Sequence, residues 1–192
     1  MSNEHQDFER SWWGQCLTTF GEETKQLVYT SKVGVSYCHV DGQWPVFDLQ
    51  GKSVVDLGGG PVSPLLKARN FKLALVVDPC GYPEWARQRY AHANIQLRQE
   101  PVESCQDLNG FDECWIFNVL QHVESPSKFM EVAKKAAKTI RIFEWIDLPA
   151  HLGHPHTLTQ ANLESWIGCR GNVEQLNDRG CVGRAWFGTF QS

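Results

Sequence analysis

The segment best suited to chemistry is a turn with one carboxylate and three successive glycines, Asp56-Leu57-Gly58-Gly59-Gly60. Glycine adopts backbone angles that other residues avoid, and without a side chain it lets a ligand approach the main chain closely. The turn follows the apolar run 53–57, which predicts a short buried strand. Ligands of open α/β sheets bind at the carboxyl ends of the strands. The turn is therefore predicted to hold a cofactor.

Two kinds of cofactor site are compatible with a glycine turn after a strand. A dinucleotide site has the pattern Gly-x-Gly-x-x-Gly, in which the third glycine allows close packing of helix on strand. Here Ser63 occupies the position of the third glycine and Pro61 intervenes. The dinucleotide pattern also requires no carboxylate at the position of Asp56. The turn therefore disfavours NAD, although Asp56 could simply fix the loop.

A second carboxylate, Asp78, ends the apolar run 72–77, about 20 residues after the glycine turn. A carboxylate at this place can accept hydrogen bonds from both hydroxyls of a ribose. NAD enzymes have an equivalent acidic residue, so Asp78 indicates a nucleoside-containing cofactor without identifying it.

Several segments resemble the motifs of class I S-adenosylmethionine (SAM)-dependent methyltransferases. Residues 54–61 resemble their first motif, with an acidic residue just before Gly-x-Gly, and residues 75–78 resemble the second. Residues 111–123, which include Asn118-Val119-Leu120-Gln121-His122-Val123, resemble the segment that turns over the methyl-donating end of SAM. Residues 99–103 depart from the pattern, because Pro101 stands where an acidic residue is usual.

The resemblance implies one Rossmann-like α/β domain with a seven-stranded, mostly parallel sheet, a C-terminal antiparallel pair and helices on both faces. It implies SAM as the cofactor and S-adenosylhomocysteine (SAH) as the product. The adenine contact is assigned to Glu100 or to the backbone of Val102. The implied cofactor-binding residues are Asp56, Gly58, Gly59, Gly60, Asp78, Pro79, Glu100, Val102, Asn118 and Val119.

The catalytic candidates are His122 and Glu144. Methyl transfer from a sulfonium needs an acceptor held in line and, for a hydroxyl or a protonated amine, a base. His122 is the predicted base because an unperturbed imidazole titrates near neutral pH, and the segment also resembles ubiquinone-type O-methyltransferases, which have a histidine there. The alternative is that His122 only caps the loop. Glu144, at the end of the fifth predicted strand, could orient the substrate or pair with Arg141.

A loop with His154 and His156 is predicted to return to the same rim and to bind the substrate. Together with His122 and Glu144 these residues could form a divalent-metal site. Two histidines two residues apart on a loop are weak support for a metal, so none is predicted.

The N-terminal segment carries two tryptophans that could take part in the site. Trp12 and Trp13 could close over it or dock their helix on the sheet, and docking is the preferred interpretation. Lys25, Gln26 and Tyr29 could reach the carboxylate of SAM.

The composition narrows the choice of acceptor molecule. Hydrophobic residues make up 42% and charged residues 21%, as in ordinary globular proteins, and no apolar run approaches the roughly 18 residues of a membrane span. The net charge of −4 disfavours a nucleic-acid substrate. Seven cysteines without a Cys-x-x-Cys pair, and a polar N-terminus, predict a cytoplasmic protein with reduced thiols. We expect a small-molecule acceptor, such as a sugar or an aromatic hydroxyl.

The elements that must position these residues follow from the apolar periodicity. Helices are predicted over 4–31, 63–70, 83–91, 126–137 and 159–166, and strands over 53–57, 72–77, 95–98, 113–118, 139–145, 171–176 and 184–190. The chain is predicted to be a single domain with an N-terminal helical cap and linker (1–50), a SAM-binding core (51–149) and a C-terminal substrate rim (150–192).

Three other functions stay open at this point. The first is a methyltransferase for nucleic acid or modified bases, which is disfavoured because Asn118-Val119-Leu120-Gln121 stands where amino-directed DNA enzymes have an Asn-Pro-Pro-Tyr-type segment. The second is a non-catalytic SAM-binding module. The third is an NAD-dependent enzyme, which the glycine turn disfavours.

Overall fold

The computed structural model describes residues 4–15, 19–38 and 45–192. Within these ranges the helices are α1 (Glu4–Gln15), α2 (Phe20–Lys32), α3 (Glu84–His92), α4 (Pro126–Ala136) and α5 (Gln160–Ile167). The strands are β1 (Tyr37–Cys38), β2 (Val46–Asp48), β3 (Ser53–Leu57), β4 (Ala68–Arg69), β5 (Leu73–Val77), β6 (Gln96–Arg98), β7 (Phe111–Phe117), β8 (Ala137–Ile146), β9 (Asn172–Asp178) and β10 (Cys181–Gln191). None of these helices has the length and apolarity that crossing a membrane requires.

Seven strands form the main sheet, in the order β6-β5-β3-β7-β8-β10-β9. The strands from β6 to β8 are parallel, and β10 runs antiparallel to both β8 and β9. This arrangement confirms the predicted seven-stranded sheet with its closing antiparallel pair. It places the carboxyl ends of β5, β3, β7 and β8 side by side. A small second sheet, in the order β1-β2-β4, was not predicted.

The two faces of the main sheet carry separate apolar clusters. Side chains alternate along a strand, so Val54 of β3 packs with residues of α2 and α3, whereas Val55 packs with residues of α4 and α5. All five residues of β3 are buried, which explains why a continuous apolar run, rather than an alternating one, predicted this strand. The prediction of helices on both faces is confirmed.

The predicted single helix over 4–31 is in fact two helices. α1 ends at Gln15 and α2 begins at Phe20. Glu22 and Glu23 lie in the first turn of α2, where the positive end of the helix dipole favours carboxylates. The Thr19 hydroxyl donates to Glu23 at 2.7 Å. These polar contacts mark a helix start inside a segment whose apolar spacing looks continuous.

The predicted helix over 63–70 was wrong as well. Two 3₁₀ turns, Gly60–Val62 and Pro64–Lys67, and the strand β4 occupy this region. After Lys67 the chain leaves helical geometry, because Ala68 and Arg69 pair with β2 and Asn70 has φ 53°. The Ser63 hydroxyl accepts the N–H of Leu65 at 3.1 Å and so begins the second turn. The other helices and strands lie close to their predicted bounds.

A partly buried ionic cluster joins the central strands to the end of α2. Arg141 on β8 donates to Glu113 on β7 from Nε at 2.7 Å and from Nη2 at 3.1 Å. Lys52 also donates to Glu113, at 2.7 Å, and Arg141 bonds the carbonyl of Val33. Arg141 therefore pairs with Glu113, and the alternative pairing with Glu144 is not the one that forms.

Glu113 should make the stability of the fold sensitive to acid. Burial alone would raise the pKa of Glu113, but hydrogen bonds from Arg141, Lys52 and Trp115 lower it from 4.5 to about 2. A carboxyl group with a depressed pKa contributes stability in full above its unfolded value, and this contribution is lost as the pH falls from 4.5 toward 2.

Glu113→Gln is expected to lower the free energy of unfolding at neutral pH by about 2–3 kcal/mol, because Arg141 and Lys52 lose their shared charge partner. Its free energy of unfolding should also depend less on pH in the acid range. Urea denaturation at a series of pH values measures both effects. Glu131→Gln, at an exposed position of α4, is the control. Equal acid sensitivity in Glu113→Gln and the unsubstituted protein would contradict the prediction.

Candidate functional site

A cavity of about 540 Å³ lies at the carboxyl ends of the parallel strands. Its inner wall is formed by the turns after β3, β5 and β7, and includes Gly58, Gly59, Gly60, Asp78, Pro79, Asn118, Val119 and His122. Its outer wall is formed by α1, α2, the end of β8, the loop after it and the start of β10, and includes Phe8, Glu9, Trp12, Glu22, Lys25, Gln26, Tyr29, Trp145, His151, His154 and Val182.

The glycine turn presents main chain to the cavity because side chains do not fit there. Gly58 has φ 77°, and a Cβ on it would lie 2.0 Å from Cγ2 of Val119. A Cβ on Gly59 would lie 2.4 Å from a carboxylate oxygen of Asp56. The N–H of Gly58 bonds the last carbonyl of β5, that of Val77, at 2.7 Å. Neighbouring protein atoms therefore fix the turn, and its main chain is open only on the side of the cavity.

Asp56 lies beneath this turn and does not line the cavity. Its carboxylate accepts the hydroxyl of Ser63 through one oxygen, while the other oxygen has no partner. Burial raises the pKa of Asp56 to about 7, against the hydrogen bond from Ser63. This position corresponds to the alternative in which Asp56 fixes the loop, and not to direct contact with a ligand.

Asp78 lies at the end of β5 and lines the cavity together with Pro79. Its carboxylate accepts the N–H of Gly60 at 3.2 Å and the N–H of Cys80 at 2.9 Å. Burial raises the pKa of Asp78, against hydrogen bonds from Cys80, Tyr82 and Gly60. The carboxylate therefore ties the glycine turn to the end of β5 while one edge of it faces the cavity.

The two residues considered for an adenine contact are placed differently. Val102, in the 3₁₀ turn Val102–Ser104, lines the cavity beside Pro101 and Glu103. Glu100 does not line it, because its carboxylate pairs with Arg98 and accepts from the thiol of Cys105 at 3.0 Å. Of the two alternatives, the position of Val102 is the suitable one.

Glu144 is a buried support of the turn after β7. Its Oε1 accepts the N–H of Val119 at 3.0 Å and the N–H of Leu120 at 3.1 Å. Its side chain is fully buried and does not line the cavity. Burial raises the pKa of Glu144 to about 7, although the two N–H groups and His122 lower it. This placement does not support the catalytic role predicted for Glu144.

His122 lines the cavity, and two groups from distant parts of the chain lie next to its Nδ1 atom. Nδ1 lies 2.9 Å from the carbonyl of Gly153 and 3.2 Å from Oε1 of Glu9 on α1. Because both neighbours accept, the proton of the neutral ring belongs on Nδ1. Nε2, the accepting nitrogen of this tautomer, has the amide nitrogen of Gln121 at 3.5 Å, a long hydrogen bond that the donor group of a ligand would displace. Burial would lower the pKa of His122, but Glu9, Glu144 and Gly153 together raise it.

The two histidines predicted to bind substrate do not share one position. His154 lines the cavity, with its ring centroid 4.4 Å from that of His122 and 4.2 Å from that of His151. Burial and the neighbouring imidazoles lower the pKa of His154 to about 4. His156 does not line the cavity, and its Nε2 lies 2.8 Å from the carbonyl of Val123. Across residues 4–15, 19–38 and 45–192, no three His, Cys, Asp or Glu side chains are arranged to hold a metal ion.

The two tryptophans of α1 differ in position: one docks the helix and the other lines the cavity. Trp13 packs against Val62, Cys80 and Tyr82 and so docks α1 beside the glycine turn. Trp12 lines the cavity and is 45% exposed. Lys25, Gln26 and Tyr29 all line the cavity, as considered from the sequence.

Several residues of the site were missed by the sequence analysis. Glu9 belongs to a polar helix in which no spacing distinguishes one carboxylate from another. Tyr82, four residues after Asp78, also lines the cavity. His151 also lines the cavity.

Glu144 should prove to be a positioning residue. Glu144→Ala leaves two buried N–H groups without an acceptor, and we expect it to lower the free energy of unfolding by about 2–5 kcal/mol. Glu144→Gln keeps an oxygen at the same place and should lose less than about 1 kcal/mol. Chemical denaturation of both variants measures the difference. Equal destabilisation by Ala and Gln would contradict this role.

No protein-family model matches the sequence, and no curated protein matches it. Solved structures do match. Magnesium protoporphyrin IX methyltransferase from Synechocystis PCC 6803 with bound SAM is 16% identical at a TM-score of 0.65, and the match covers 100% of this chain and 99% of that one. The 1,6-didemethyltoxoflavin-N1-methyltransferase of Burkholderia thailandensis, with bound 1,6-didemethyltoxoflavin and SAH, is 14% identical at a TM-score of 0.63, covering 96% and 85%.

A third similar structure is a complex of the Haloferax volcanii Trm112 methyltransferase activator with a methyltransferase, at 13% identity and a TM-score of 0.63, covering 94% of this chain and 83% of the matched one. In some other matches this chain spans two thirds or less of the solved protein, 66% and 57%. At these identities the similarity concerns the course of the backbone. The chain has the Rossmann-like fold of class I SAM-dependent methyltransferases.

Proposed function

We propose that this protein is a SAM-dependent methyltransferase that methylates a hydroxyl or an amine of a small-molecule acceptor. The observation that carries the proposal is that the glycine turn, the Asp78 carboxylate and the His122 imidazole line one cavity. Exposed main chain and a carboxylate suit a nucleoside-containing ligand, and the imidazole suits removal of a proton. The fold adds support, because similar structures were solved with SAM or SAH bound.

The inner wall fits SAM. Gly58 and Gly59 line the cavity with main chain alone, as a close approach of ligand to backbone requires. An ionised carboxylate has about four acceptor positions, and two backbone N–H groups occupy two of those on Asp78. The remaining positions suit the hydroxyls of a ribose.

The amino-acid end of SAM has candidate partners in α2. Oε1 of Gln26 is buried without a hydrogen-bond partner, and Gln26 lines the cavity. A buried acceptor without a partner costs free energy, so an ammonium donor of a ligand is its suitable complement. SAM, when bound, supplies a methyl group on an activated sulfonium.

The Nε2 atom of His122 would take the proton from the acceptor group. The Nδ1–H group is held by Gly153 and Glu9, so the ring is oriented and its Nε2 is the basic atom. The Glu9 carboxylate stabilises the imidazolium that forms when Nε2 takes the proton, and it acts on the reaction only through His122. This arrangement follows the general logic of a base oriented by a third group.

A first test measures cofactor binding by calorimetry with SAM and SAH. Asp78→Asn is expected to weaken SAH binding by about 10- to 100-fold, because hydrogen bonds to a charged acceptor contribute about 1.5–3 kcal/mol. Asp178→Asn, at an exposed position of β9, should bind SAH as the unsubstituted protein does. If the unsubstituted protein binds neither SAM nor SAH, the proposed function fails.

A second test follows the pKa of His122 by NMR, with Glu9→Gln as the variant and the spectrum of His122→Gln for assignment. Besides Glu9, the charged or titratable groups near the ring are Glu144, His154 and His151. The pKa of His122 should lie above 6.5 in the unsubstituted protein and should fall in Glu9→Gln. Since the base must be neutral, the acid limb of the pH–rate profile should move to lower pH in the variant.

A parallel assay measures transfer of the methyl group from labelled SAM to a small-molecule extract. The rate of transfer should drop by about 100-fold or more in His122→Gln, with SAH binding retained. Asp7→Asn, elsewhere on α1, is the matched control for Glu9→Gln. An unchanged pKa of His122 in Glu9→Gln would show that Glu9 has no part in setting the base. SAH binding without labelling of any acceptor would favour a non-catalytic SAM-binding module.

A further inference from the structure

The outer wall of the cavity is rich in aromatic and apolar side chains that solvent reaches. Phe8 and Trp12 of α1 are 39% and 45% exposed, and Val182 at the start of β10 is 69% exposed. All three line the cavity, together with Tyr29 and Trp145. Large apolar groups that stay exposed at the mouth of a cavity mark a surface that a ligand covers.

The charges that line the cavity are mostly negative. Among the described residues, five carboxylates line it against one ammonium group, that of Lys25. The carboxylates belong to Glu9, Glu22, Asp78, Glu103 and Glu124. The ammonium of Lys25 is already paired with Glu22 at 2.7 Å, and no arginine lines the cavity within this part of the chain.

We propose that the methyl acceptor is a planar aromatic molecule, neutral or cationic and without an anionic group, whose hydroxyl or amine meets His122. The inference rests on the proposed function and deepens it by naming the acceptor class. Trp12 and Phe8 offer ring faces and edges to a flat ligand, and such aromatic pairs contribute beyond the area they bury. A carboxylate or phosphate at this wall would lose hydration beside the carboxylates of Glu9 and Glu22, and the Lys25 ammonium, already paired with Glu22, would not replace its water, which is unfavourable. A cationic group would gain attraction from the same wall.

Three ligands with one ring, one hydroxyl and nearly equal length separate the effect of charge from that of shape. They are 4-ethylphenol (neutral), tyramine (cationic) and 3-(4-hydroxyphenyl)propionate (anionic). Their dissociation constants are to be measured by NMR titration of the SAH-loaded protein. We expect tyramine and 4-ethylphenol to bind at least about tenfold more tightly than the propionate, and 4-ethylcyclohexanol to bind more weakly than 4-ethylphenol.

The outcomes separate this inference from the proposed function. Equal or tighter binding of the propionate overturns the exclusion of anions, and equal binding of 4-ethylcyclohexanol overturns the preference for a planar ring. If SAH binds normally but none of the aromatic probes does, the acceptor class is wrong while the cofactor site stands. If SAH does not bind, the proposed function itself has failed.

Two variants test the wall directly. Trp12→Ala should weaken binding of 4-ethylphenol by about tenfold and leave the affinity for SAH unchanged. The control is Trp85→Ala, at a tryptophan that is 36% exposed and lies outside the cavity. It should change neither the binding of 4-ethylphenol nor that of SAH. Glu22→Gln frees the Lys25 ammonium and should improve binding of the propionate more than that of tyramine. If Trp12→Ala leaves probe binding intact but changes the sedimentation of the protein, this wall is a contact between copies and the inference fails.

Discussion

The arrangement of the cavity depends on one fully buried carboxylate, that of Glu144. By accepting the N–H groups of Val119 and Leu120, it fixes the turn that follows β7 to the neighbouring strand β8. Val119 then stands so close to Gly58 that no side chain fits there, and its carbonyl accepts the N–H of His122 at 2.9 Å. The same hydrogen bonds therefore determine where main chain is open to a ligand and where the imidazole stands.

Two buried acids support the two turns of the inner wall in the same way. Asp56 beneath the glycine turn and Glu144 behind the turn after β7 each leave one carboxylate oxygen without a partner, and burial raises the pKa of each to about 7. A cationic ligand in the cavity would favour the ionised forms, because opposite charge lowers the pKa of a carboxyl group.

The sequence predicted the sheet and the inner wall because local patterns determine both. Continuous apolar runs specify buried parallel strands, and the glycines and Asp78 follow strand ends directly. Glu144 could not be oriented this way, since β8 is buried on both faces from Phe143 to Ile146 and periodicity gives no direction there. The contact of Glu9 with His122 joins residues far apart in the chain, and nothing local in α1 indicates it. Only tertiary packing, led by Trp13, brings the two together.

The two walls are built by different kinds of groups, and this has a consequence for specificity. The inner wall uses main chain and supports buried beneath it, so its shape depends on the sheet and tolerates little change. The outer wall combines the buried rings of Tyr29 and Trp145 with exposed side chains of α1 and β10. The exposed side chains, those of Phe8, Trp12 and Val182, can vary without disturbing the strands. Because Glu9 of α1 also holds Nδ1 of His122, the helix that carries Phe8 and Trp12 also orients the imidazole. Under the proposed function, docking of α1 would therefore link recognition of the acceptor to removal of its proton.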